Sequence, residues 1–472
     1  MDVTEYLKKR HKEVMSVLYY DIPPRGWGLP PQRLILIDEG MARAKTGQES
    51  WEAWSGKTVP FTDFIDPRHP EVQIVPTDRP INVVDAWGDM LGPEQHCLPF
   101  SKTSFVIMPD QQGVFEEAEC AGFWRLWMIK QLQFLTLPFL NYKDRVSTMP
   151  LPVFNHQRIT HCLIAAAMAE VILGRNGFSA TDRAPIVLTV LAHDIALPAG
   201  GDSVKRISPY ALDEEENFAW ALKHWQLADR WQEKFGFDLK LASDWVKNRG
   251  LFGQLLDICD KLSYTALDCH ELGGLFNGEM RKFGLACPLF MDVWEDIVFS
   301  DDHQRLAFTN PERLFLFVLA RTLEHAELLR NPASRTLDFF HSQLVKPAYE
   351  KGLITWQELL TWNDEDLEHA LKAIYPEQKV VLPWLVSDDE WAWIKFSAQT
   401  ELNQFVRARS VKFDHTESIT RFNSGLDWPI WQDGKIIALR DCLHPNQIKE
   451  IADLVNSFIG YYAYWRVRLS KW

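Results

Sequence analysis

From Val114 to about Tyr375, apolar residues recur at the spacing of one face of an α-helix, in segments near 115–141, 157–175, 180–195, 211–233, 240–274, 311–331 and 334–349. Apolar stripes of that kind are buried by packing helix on helix, so the centre of the chain is committed to an all-α core. The flanks read differently. Residues 2 to 18 suggest a short amphipathic helix ended by the proline-rich stretch Pro23 to Pro31. From there to about residue 115, short apolar runs are broken by Pro, Gly and Asp. Beyond residue 376, Ile430-Trp-Gln-Asp433-Gly434-Lys-Ile-Ile437 is a strong hairpin signal, and a last helix is expected from Pro445 to Trp465. The expected fold class is mainly α, with an N-terminal α+β region (1–115), a helical domain (116–375) and a C-terminal mixed α/β appendage (376–472). No internal repeat or low-complexity tract interrupts it.

Charge and cysteine usage narrow the functional classes. The 472 residues carry 50 basic and 64 acidic side chains, a net charge of −14. That balance argues against non-specific binding to nucleic acid backbones. Seven scattered cysteines with no CxxC spacing suggest neither a disulfide framework nor a zinc ribbon, so a reduced, cytoplasmic protein is expected. The N-terminus carries charges where a signal peptide needs an apolar run. The apolar stretches near 123–140 and 162–173 are interrupted by Arg125 and Lys130 or too short to span a bilayer, so no membrane partner is expected.

The chemistry-bearing residues fall in the helical centre. On the predicted helix over 240–274, Asp260, Tyr264 and Asp268 share one stripe, with Asp257 a turn earlier and Lys261 beside it. Leu256, Ile258, Leu262 and Leu267 pack the other side, so the stripe faces a pocket. Upstream stand Arg158-Ile-Thr-His161 and His193-Asp194. His161, His193, Asp194 and Asp260 supply two imidazoles and two carboxylates, a donor set suited to one divalent ion such as Mn²⁺, Fe²⁺, Mg²⁺, Co²⁺ or Ni²⁺. Adjacent ligands His193 and Asp194 face one ion only if their helix stops there, and Ala-Leu-Pro198-Ala-Gly-Gly supplies the stop. Arg158 offers a planar fork for phosphate oxygens and Lys261 a point charge. Each residue also has a plainer use: His161 as a core histidine beside Cys162, Arg158 and Lys261 as ion-pair partners of Asp257 or a similar carboxylate, Tyr264 as packing.

The order Arg-x-x-His, His-Asp, then Asp-Lys-x-x-Tyr-x-x-x-Asp-Cys-His-x-Leu-Gly resembles the HD-domain phosphohydrolases, most closely their deoxynucleoside triphosphate triphosphohydrolase branch. The resemblance covers roughly residues 150 to 275. It implies metal ligation by His161, His193, Asp194 and Asp260, phosphate contacts from Arg158 and Lys261, and a sugar bordered by Tyr264 and Asp268. It also implies a nucleotide substrate and a homo-oligomer, although no segment marks an interface.

The pattern departs from that branch where histidines follow the His-Asp pair. Leu197 and Asp202 occupy those positions, and a later His-Glu pair is represented only by Asp213-Glu214. Asp202 is the first candidate for the proton donor and Glu214 the second, although acids at 213–216 also suit the start of a helix. Lys205 and Arg206 would extend the phosphate surface or form a solvated face. The expected function is hydrolysis of a (deoxy)nucleotide by metal-activated water, in a triphosphohydrolase-like or 5′-nucleotidase-like reaction. The alternatives are a catalytically weak nucleotide sensor or assembly protein, and an HD-type phosphodiesterase or nucleic-acid processing enzyme.

Overall fold

The computed structural model describes residues 114, 117–118, 121–129, 158–275, 291–300, 304–376, 390–408 and 415–467, with the backbone of short strands before residue 153. The fold is mainly α with small mixed additions. The helix expected at 2–18 lies outside the described residues. Within 115–141 the described helix is only α1, Ala121–Trp127.

Three helices build the centre: α2 (Arg158–Arg175), α3 (Ala180–Ala192) and the long α4 (Gly250–Leu275). Ser179 caps α3 by accepting from the Asp182 amide, which satisfies one of the donors a helix start leaves open. From Ala184 to Ala192 nearly every α3 side chain is buried. Ile164, Ala165 and Ile172 of α2 and Leu255, Ile258 and Leu262 of α4 close the same core. Each fully buried Leu or Ile contributes about 1.5–3 kcal/mol, so this three-helix contact fixes the relative positions of the polar residues along its edge.

Two helices expected as single spans are broken. The 211–233 segment is α5 (Glu214–His224) and α6 (Leu227–Phe235), separated at Gln226, whose φ is 58°. The 240–274 segment is Leu239–Val246 followed by α4, with Asn248 at φ 59° and Gly250 at φ 71° in the elbow. Downstream, α7 (Pro311–Glu324) continues into a π-helical turn, His325–Leu329. After a helix over Pro332–Glu350 come α8 (Trp356–Thr361) and α9 (Asp364–Ile374).

The hairpin is present: Pro429–Gln432 pairs with Lys435–Ala438, and Asp433 and Gly434 both have positive φ, as a two-residue turn with matching twist requires. It joins the strands Ile297–Phe299 and Leu306–Phe308 in one four-stranded sheet. Trp428, Ile430, Leu439 and Ile451 enter the same apolar core as α2, α3 and α4. The expected last helix is corrected: it ends at Phe458, and Gly460–Val467 is a strand. The chain turns extended at Ile459, Gly460 leaves room for the close approach of Lys395, and the aromatic-rich run Tyr461 to Trp465 pairs with Glu390–Phe396 on one side and His415–Ile419 on the other. Among the described residues, no helix is long and apolar enough to cross a membrane.

Candidate metal centre and phosphate pocket

His161 projects from the first turn of α2, His193 and Asp194 follow the end of α3, and Asp260 lies in the middle of α4. The structure brings all four together. His161 Nε2 lies 3.3 Å from His193 Nε2 and 3.3 Å from Asp194 Oδ2. Asp260 Oδ1 lies 3.2 Å from His193 Nε2 and 3.6 Å from His161 Nε2. The Asp194 side chain is 10% exposed and that of Asp260 30%, so the cluster opens to solvent on the Asp260 side.

The arrangement fits a metal ion. Asp194 Oδ2 is buried without a well-aligned hydrogen bond and faces His161 at 3.3 Å and the Arg158 guanidinium at 3.7 Å, so it is a desolvated oxygen of the kind a divalent ion takes. The His193 Nδ1 lies 2.7 Å from the Val190 carbonyl oxygen; a proton on Nδ1, donated to it, leaves Nε2 with a lone pair aimed into the cluster. In the absence of an ion the donors neutralise one another. Burial opposes the charge on His193, but Asp194 and Asp260 raise it to about 9. Burial also opposes ionisation of Asp194 and Asp260, and the two histidines nevertheless hold both below the usual carboxylate range. Cys162, buried next to His161, also presents its sulfur to the group: one donor atom each from His161, Cys162, His193 and Asp194 lies within 4.8 Å of the others.

The turn that carries His193 and Asp194 is held from outside. The Ile195 and Leu197 amides close tight turns onto the carbonyls of Ala192 and Asp194. Arg125 of α1, itself buried, donates to the carbonyls of Ile195 and Leu197 and, on its other side, to those of Leu359 of α8 and Trp362 just past its end. The Gly200 amide is received by Asp364 at 2.9 Å. Gly200 and Gly201 both adopt positive φ, and a side chain at Gly201 would meet the Arg158 guanidinium as well as backbone strain.

Around the cluster, the predicted phosphate and acid–base residues are already engaged with partners. Arg158 donates to Asp202 at 2.5 Å and lies 3.7 Å from Asp194, while its Nε makes no hydrogen bond. Asp202 is half exposed, and against partial desolvation Arg158 and then Lys205 hold its carboxyl below the usual range. Glu214 behaves in the opposite way. Burial, reinforced by Asp194 and Asp202 against the opposing charge of Lys205, raises it to about 7. Lys205 contacts its Oε1 at 2.6 Å, and its Oε2 is buried without a hydrogen bond. Glu214 opens α5, whose N-cap is Asp213. Arg206 stacks over Phe339. Lys261 is ion-paired with Asp257 one turn away and lies over Trp428.

Tyr264 accepts a hydrogen bond from Arg321 Nε at 2.8 Å, and burial pushes its phenol upward. Asp268 is fully enclosed two turns beyond Asp260 and lies beside Glu324 of α7, a carboxyl that burial holds above the usual range. His224 stacks on Trp220 and meets Trp225 edge-on. His156 and the side chain of His270 lie outside the described residues.

Arg125 and Arg321 are not marked by any motif. The one signal either carries is a cation inside an otherwise apolar helical run, Phe123-Trp-Arg-Leu-Trp and Phe317-Val-Leu-Ala-Arg.

No family profile and no curated protein matches the sequence. Among solved structures, the chain is similar to a phosphohydrolase from Bacteroides thetaiotaomicron, with 17% identity and a TM-score of 0.53, over 75% of this chain and 95% of that one. It is also similar to a hypothetical protein from Aquifex aeolicus, with 13% identity and a TM-score of 0.52, over 76% and 93% of the two chains. The chain shares the fold of these structures, and it carries a buried His, Cys and Asp cluster able to hold a metal ion.

Proposed function

We propose that the protein is an HD-type, metal-dependent phosphohydrolase acting on a (deoxy)nucleotide. The observation that carries this reading is the meeting of His161, His193, Asp194 and Asp260 from three helices beside Arg158. A fold shared with a protein named phosphohydrolase supports it. A bound divalent ion would polarise a phosphoryl oxygen and make water a stronger nucleophile at neutral pH.

The chain's own residues do the remaining work. Arg158, whose two terminal nitrogens are placed by Asp194 and Asp202, supplies positive charge and hydrogen-bond donors to phosphate oxygens. Lys261, tethered by Asp257, adds positive charge on the α4 side. Glu214 is the better proton donor of the two candidates. A donor must be protonated near neutral pH, which Glu214 at about 7 satisfies and the Arg158-bound Asp202 does not. Tyr264, held by Arg321, borders the sugar.

The test is to incubate the purified protein with Mn²⁺ or Mg²⁺ and a panel of (deoxy)nucleoside mono- and triphosphates, beside a His193→Ala/Asp194→Ala control. Nucleoside plus triphosphate identifies a triphosphohydrolase, and nucleoside plus orthophosphate from a monophosphate identifies a nucleotidase. Nucleotide binding with no product above the control overturns the hydrolase reading in favour of a sensor.

A further inference from the structure

We propose that Cys162 ligates the same ion as a thiolate, and that its sulfur turns the site toward Fe²⁺, Co²⁺ or Zn²⁺ and away from Mg²⁺. This rests on the metal reading above and adds a donor that the two-histidine, two-aspartate set lacks. The Cys162 side chain is fully buried, and its sulfur lies 3.7 Å from His161 Nε2 and within 4.8 Å of the donor atoms of His193 and Asp194. Metal–sulfur and metal–imidazole lengths of about 2.3 and 2.05 Å separate S and N by about 3.5 Å across a tetrahedral angle and about 3.1 Å across a right angle. The observed 3.7 Å is slightly longer than both, close enough for one ion to be reached by sulfur and imidazole together. The two imidazole nitrogens, 3.3 Å apart, are likewise within reach of one ion.

Neighbouring residues on a helix diverge by about 100°, so a shared ion needs unequal arms. The long imidazole of His161 and the short thiol of Cys162 provide them. Cys259 shows the contrast within the same molecule. It is equally buried and also adjoins a predicted ligand, Asp260, but the group of four converging donors contains Cys162 and neither Cys259 nor Asp260, which meets the histidines from the other side. It behaves as a small packing residue.

When the metal–sulfur bond forms, the S–H bond of Cys162 breaks and its proton leaves to solvent through the opening beside Asp260. No redox change is involved. A thiolate favours borderline and soft ions, whereas Mg²⁺ takes oxygen ligands and retains water, so sulfur gains it little.

Cobalt titration of the full-length, chelator-treated protein tests this. Wild type should develop visible d–d bands together with a near-ultraviolet thiolate-to-cobalt charge-transfer band. Cys162→Ser should keep the first and lose the second, with a lower preference for Co²⁺ over Mg²⁺ in competition, while Cys259→Ser keeps both. Wild-type d–d bands without charge transfer, or a charge-transfer band that survives in Cys162→Ser, overturns thiolate ligation and leaves the metal reading standing. Absence of d–d bands from wild type overturns both. The wild-type spectrum alone decides the proposal should Cys162→Ser fail to fold.

Discussion

Asp260 and Asp268 stand two turns apart on one stripe of one helix, yet their surroundings are opposite. Asp260 is 30% exposed and meets the two histidines, whereas Asp268 is sealed from solvent against Glu324. Between them, Tyr264 is tied to Arg321. Helical periodicity places carboxylates on a common face, but what α7 lays over that face decides which of them meets a ligand and which braces the wall. At the far end, burial holds the Glu324 carboxyl above the usual range, because a negative charge without water is costly.

The largest effect is expected at the near end. His193→Ala/Asp194→Ala should reduce metal-dependent hydrolysis to the background of chelator-treated protein, measured by product chromatography, with the fold intact by circular dichroism. Next comes Glu214→Gln, which should cost about 10²- to 10⁴-fold in kcat. A proton donor at about 7 is fully protonated below that pH and loses its proton above it. The wild-type rate should therefore fall as pH rises through about 7, and that limb should vanish in Glu214→Gln. A limb that persists would return the role to another group.

Arg125→Met should weaken metal affinity by about 10- to 100-fold in calorimetry, because it frees the turn that aims His193 and Asp194. Arg125→Lys should recover only part of this, since one ammonium cannot serve four carbonyls on two elements.

The far end should respond in stability. Asp268→Asn should shift the denaturant midpoint by about 1–3 kcal/mol of unfolding free energy and leave metal affinity unchanged. A raised KM for nucleotide at unchanged stability would instead bring Asp268 to the sugar and erase the contrast between the two ends. Tyr264→Phe should have the smallest effect, about 0.5–1.5 kcal/mol from the lost Arg321 hydrogen bond, read as a small shift of the denaturant midpoint.

The order of helices was legible from apolar periodicity, and Asp433-Gly434 announced its hairpin because a two-residue turn demands positive φ. The breaks at Gln226 and Asn248 were not legible. Nothing local marks Gln226 for a left-handed conformation, and the apolar pattern continues across both breaks. The four proposed ligands stood out because acids and histidines recur in order on helices predicted to pack. Arg125 did not stand out, because it binds backbone carbonyls that only the tertiary fold brings to it, and carbonyls carry no residue signature. Arg321 reaches Tyr264 from 57 residues away by the same route. Cys162 was visible beside His161, but the distance from its sulfur to the other donors belongs to the folded chain.

The central claim is that three helices bring His161, His193, Asp194 and Asp260 together to hold one divalent ion. Equilibrium dialysis against Mn²⁺ and Co²⁺, followed by elemental analysis, tests it most directly. The account predicts one tightly held ion per chain in wild type and none in His193→Ala/Asp194→Ala. Equal metal content in the two proteins, or none in wild type, would contradict it.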